Sequence, residues 1–79
     1  MNLGEFLKCI RLRHSMTQAE FGDITGRNKD MVSKWENGIA MPSTDELYEI
    51  SNKLKEPVLM LVTYGVLVNN LLEIQKRHN

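Results

Sequence analysis

Cysteine is nearly absent from this chain: Cys9 stands alone among 79 residues, which excludes an intramolecular disulfide. Histidine is almost as scarce. With only His14 and His78 beside one cysteine, no cluster has metal-ligand spacing, so neither a metal nor another cofactor is expected. Charge of one sign is not in surplus either, because ten basic residues balance ten acidic ones. That balance counts against indiscriminate attraction to nucleic acid, which rests on excess positive charge. Long apolar runs are missing as well. The longest, Val58 to Val62, is far too short to cross a bilayer, and Met1 to Lys8 lack the apolar centre of a signal peptide. The expectation is a cytoplasmic protein with no membrane role. No phosphate-binding glycine loop, nucleophile elbow or spaced pair of catalytic acids is found, so no enzyme is expected and no small-molecule ligand is evident.

What is present is amphipathic helix. A chain of this length is one domain, and domains so small bury only about 60% of the surface their unfolded chain exposes. With disulfide and metal excluded, a second subunit becomes the expected source of added stability. Leu3, Phe6, Leu7 and Ile10 follow helical spacing, with Asn2 as cap and an end near His14. Cys9 lies beside that stripe and is expected to be a buried, inert thiol. His14 is expected to be an unremarkable residue at a helix end.

Thr17-x-x-Glu20 is a capping box opening a second helix, with Ala19, Phe21 and Ile24 as its apolar contacts. Gly22, in mid-helix, suggests that another helix approaches closely there. Gly26 suits the end of that helix. Asn28 caps a third helix running from Lys29 to Asn37, which Gly38 terminates. Met31, Val32 and Trp35 fall on one of its faces, and Asp30, Ser33, Lys34 and Asn37 on the other. A short helix apolar behind and hydrogen-bonding in front fits a DNA major groove. Ser43-x-x-Glu46 opens a fourth helix with Leu47, Tyr48, Ile50, Ser51 and Leu54 inside, and Pro57 suits the start of a fifth. Arg11, Arg13, Arg27, Lys29 and Lys34 precede Asp45, Glu46, Glu49 and Glu56, so a polarised molecule is expected.

The fold expected is all-α: a compact five-helix helix-turn-helix domain over residues 1–64, followed by a short, apolar extension over 65–79. In that extension Val66, Leu67, Val68, Leu71, Leu72 and Ile74 form a possible dimer interface, with a final helix favoured by the spacing of Leu67, Leu71 and Ile74.

The block from Thr17 to Gly38 resembles the Cro/C1-type helix-turn-helix family, also called xenobiotic-response-element-like. Thr-Gln-x-Glu opens the second helix, Gly falls at the turn, and Ser-Lys-Trp-Glu-Asn-Gly closes the third. The resemblance extends over about Leu3 to Val62. It implies DNA contacts by Asn28, Lys29, Asp30, Ser33 and Lys34 of the third helix, by Gln18, and by Asn37 near phosphate. It also implies an ion pair between Arg11 and Glu36. Thr17 and Arg27 join the candidate contacts on physical grounds, Thr17 by its helix start and Arg27 by its charge. Arg27 and Thr25 stand where the family usually has apolar residues, and the Ile39-Ala40-Met41 loop lacks the basic residues often found there.

The function implied is a sequence-specific transcriptional regulator, a dimeric repressor of phage, prophage or mobile-element origin, reading a near-palindromic operator in double-stranded DNA. Two alternatives stand beside it. One is an antitoxin or restriction-control regulator on the same domain. The other is a protein-interaction module that keeps the fold without binding DNA.

Overall fold

Four helices follow one another in the computed structural model, which describes residues 2–57: α1 (Leu3–Arg13), α2 (Gln18–Asp23), α3 (Lys29–Glu36) and α4 (Thr44–Leu54). No strand occurs among the described residues. The fifth helix, the domain boundary near residue 64 and the apolar extension all lie outside them.

Every helix starts on a side chain able to satisfy an orphan backbone N–H. Asn2 accepts from the Glu5 amide, Thr17 from Glu20, Asn28 from Met31 and Ser43 from Glu46. At Thr17 and Ser43 the glutamate reaches back to the cap's own N–H, completing the two capping boxes.

The helix ends are equally uniform. After α2, the Arg27 amide donates to the Gly22 carbonyl at 2.9 Å and Gly26 donates to Asp23, with Gly26 at φ +70. This is a Schellman closure. It explains why regular helix stops at Asp23 although Gly26 is the terminating residue. Gly38 closes α3 in the same way, through Ile39 N–H to Lys34 at 2.9 Å.

Ser15 and Lys55 take the same left-handed conformation, at φ 55 and φ 56, without being glycine. A side chain in that region costs about 1–2 kcal/mol, partly offset by the chain entropy that glycine gives up on folding. Lys55 is exposed and unpaired among the described residues, so Lys55→Gly should stabilise the fold by about 0.5–1 kcal/mol in urea denaturation.

The core is built from all four helices: Leu3, Leu7 and Ile10 of α1, Phe21 of α2, Val32 and Trp35 of α3, and Leu47 and Ile50 of α4. Trp35 is only 2% exposed, which places the indole inside as its spacing from Met31 and Val32 requires. Three expectations need correction. Cys9 is exposed, because the buried edge of α1 runs through Leu3, Leu7, Ile10 and Arg11, and Cys9 is turned about 100° off its nearest member, Ile10. Tyr48 is exposed for a similar reason: Leu47, Ile50 and Ser51 take the inner edge of α4. Ala19 also faces outward, leaving Phe21 as the buried anchor of α2.

Two glycines set how closely the helices meet. A Cβ on Gly22 would lie 2.4 Å from the Arg27 carbonyl oxygen, so the close approach comes from the chain's own return into α3 rather than from another helix. A Cβ on Gly4 would lie 2.4 Å from the Trp35 carbonyl oxygen, which docks the start of α1 on the end of α3.

Candidate nucleic-acid interface

α3 is fixed from behind and open in front. Val32 and Trp35 are buried and Met31 is half-buried, whereas Lys29, Asp30, Lys34 and Asn37 are exposed and Ser33 is intermediate. Residues one helical turn apart share a face, so burial of one edge forces exposure of the other. Lys29, Asp30 and Lys34 form no ion pair among the described residues, and their charged ends project from one short stretch of chain. The remaining candidates are more committed. The oxygens of Thr17 and Asn28 serve as caps. The Asn37 amide folds back onto the Ser33 carbonyl at 2.9 Å and its hydroxyl at 3.3 Å, a bond that the four-residue spacing could have announced.

Arg27 is half-exposed and donates to Glu46 of α4 at 2.7 Å. Burial penalises the Glu46 carboxylate, yet the bonds from Arg27 and from Ser43 outweigh that and hold its pKa below 4.5. The sequence places Glu46 in a capping box and in an acidic group, without a partner. Nothing local in the sequence signals a partner 19 residues away.

Between α1 and the end of α3, beside the start of α2, Arg11 and Glu36 form a two-pronged pair. Arg11 Nε donates to Glu36 Oε2 at 2.6 Å and Nη2 donates to Oε1 at 3.1 Å. The third prong, Nη1, donates to the Met16 carbonyl at 3.0 Å. The side chains are 10% and 4% exposed, so the pair is largely out of water. Gln18 joins them, its Nε2 donating to Glu36 Oε1 at 3.1 Å. One carboxylate thus connects α1, the start of α2 and the end of α3.

A second cluster ties α1 to the segment after α4. Arg13 Nη2 donates to Glu56 Oε1 at 2.5 Å, and His14 Nε2 lies 2.8 Å from the same oxygen. His14 is therefore a tether and not an idle helix end. Together with Arg27–Glu46, these contacts neutralise much of the charge polarity expected from the sequence.

Hydrogen bonds from Arg13 and His14 hold Glu56 below its ordinary 4.5, and the Thr17 backbone N–H does the same for Glu20. A carboxylate whose pKa falls on folding stabilises the fold above its unfolded value, and that contribution disappears as pH drops through the folded value. The thermal midpoint should therefore be flat from neutral pH to about 5 and then fall on acidification. A calorimetric pH series tests this, and a midpoint unchanged well below 4.5 would contradict it.

Among the described residues no group of His, Cys, Asp or Glu could hold a metal ion, and no helix is long and apolar enough to cross a membrane.

Residues 7–61 match the helix-turn-helix family of Cro/C1 type. The chain is also similar to the antitoxin PezA of Streptococcus pneumoniae serotype 4 (strain ATCC BAA-334 / TIGR4), 30% identical over 67 residues. That alignment covers 85% of this chain but only 42% of the relative, so the chain spans about two-fifths of that protein's length. No solved structure matches.

Proposed function

Because the chain belongs to the Cro/C1-type helix-turn-helix family, we propose that it is a sequence-specific regulator of transcription that inserts α3 into the major groove of double-stranded DNA. The observation that carries this reading is the outer edge of α3. Lys29, Asp30 and Lys34 stand exposed and unpaired there on a helix locked from behind by Val32 and Trp35. Lysine can donate to guanine O6 and N7, and aspartate can accept from cytosine N4. Asp30 also repels phosphate, which favours a base-facing role over a general grip. Thr17 and Asn28 would present the backbone N–H groups of the helix starts. Arg27 would exchange Glu46 for a phosphate, and Asn37 would approach the backbone beside Ser33.

The finer form of the proposal is a dimeric repressor of phage, prophage or other mobile-element origin, acting by covering promoter DNA, with no catalytic step. Its dimer contacts would come from Val66, Leu67, Val68, Leu71, Leu72 and Ile74. Selection of bound sites from random duplexes tests it. A near-palindrome with half-sites about 34–36 Å apart is expected, and recovery of no preferred sequence would refute it.

Lys34→Ala should weaken cognate binding by about 1–3 kcal/mol if Lys34 reads a base. Equal loss on cognate and scrambled duplexes, with a salt dependence shallower by about one unit, would place it on phosphate instead.

The likeness to PezA favours a second reading, in which the same surface serves as the DNA-binding part of an antitoxin. Co-purification of a toxin partner from the source cells separates the two.

A further inference from the structure

We propose that Glu36 is a positioning residue for DNA recognition, acting through Gln18, an inference that rests on the DNA-binding reading above. Gln18 is the first residue of α2 and is partly exposed, while Glu36 sits at the last position of α3 with its side chain nearly buried. Their contact is Gln18 Nε2 to Glu36 Oε1 at 3.1 Å.

A carboxylate can only accept hydrogen bonds, so the amide must turn its nitrogen inward; the flipped amide would set two oxygens against each other. An amide nitrogen carries two N–H groups. One is held by Glu36, and the second is left as a donor of fixed direction for a phosphodiester oxygen. Arg11 completes the device. Its two bonds to Glu36 hold the carboxylate in place and cancel its charge, so a phosphate approaching Gln18 meets a neutral pair rather than an anion. The same carboxylate therefore joins the internal frame to the outer surface.

The test is a double-mutant cycle on affinity for the selected duplex, using the full chain with each variant's fold verified by circular dichroism. Gln18→Ala should weaken binding roughly tenfold, the scale of one hydrogen bond to a charged group. Glu36→Gln should weaken binding by a similar factor in the native background, and by less than twofold once Gln18 is alanine. A methylphosphonate at one phosphate per half-site should reproduce the Gln18→Ala loss and add nothing to it. Additive losses in the cycle overturn the inference alone, whereas absence of duplex binding by the unaltered chain overturns the DNA reading with it. Should Glu36→Gln not fold, the Gln18 side-chain protons of the unaltered chain decide the matter. One should be protected from exchange in the free protein and the other should move on adding duplex; exchange of both as fast as in an exposed glutamine, or no response of either to duplex, would refute the inference.

Discussion

Glu36→Ala is expected to cost about 3–5 kcal/mol, because it strands the Arg11 guanidinium in a site where the paired side chains are only 10% and 4% exposed. A chain of 79 residues has a total stability of about 4–12 kcal/mol, so this loss would remove from about a quarter to all of it. Two of the three guanidinium nitrogens would lose their acceptor, and only the bond from Nη1 to the Met16 carbonyl would remain. The size of that loss does not measure what the pair adds to stability. Taking both charges out of water is itself costly, and a well-packed apolar replacement can match the pair. Arg11→Met combined with Glu36→Leu should therefore cost less than Glu36→Ala alone. Urea denaturation of the three proteins checks this, and a loss under about 1 kcal/mol for Glu36→Ala would show the site to be wetter than described.

Gly22→Ala should cost on the order of 3 kcal/mol, at the upper end of overpacking penalties. In an ordinary helix the same exchange would stabilise by about 1 kcal/mol, so geometry decides the sign here. The added carbon would stand 2.4 Å from the Arg27 carbonyl oxygen and 3.1 Å from that of Asn28. Both are backbone atoms, and neither can rotate away. Arg27 is further held by its own amide, which closes the turn onto the Gly22 carbonyl. Relief would require opening the connection between α2 and α3, so any folded remainder should also lose affinity for DNA. A denaturation midpoint at or above that of the unaltered chain would contradict the packing described.

The parts of this fold legible in the sequence are those set by local rules. Asn2, Thr17, Asn28 and Ser43 begin helices because their side chains satisfy amides three residues ahead, and that relation is written in neighbouring letters. Gly26 and Gly38 end helices for a reason equally local. Ser15 and Lys55 make the same left-handed turn, but serine and lysine carry no signal for it. Cys9 and Tyr48 show how coarse an apolar stripe is. Each adjoins the buried edge, and one helical step of about 100° decides which side meets water. Exposure of Lys29, Asp30 and Lys34 followed from the burial of Val32 and Trp35. The pairing of Arg27 with Glu46, of His14 with Glu56 and of Gln18 with Glu36 did not. These contacts join residues 18 to 42 positions apart, and only the packed helices bring them together. They also change the chemistry of the candidate surface, since Arg27 arrives already neutralised while Lys29 and Lys34 do not.

The central claim is that the outer edge of α3, flanked by the start of α2, is the surface that meets DNA. Amide chemical shifts followed while a selected duplex is titrated into the full chain test it most directly. The account predicts the largest changes at Thr17, Gln18 and from Asn28 to Lys34, with Val32 and Trp35 keeping their buried environments. Changes concentrated instead on the exposed sides of α1 and α4, around Leu12 and Tyr48, would contradict it.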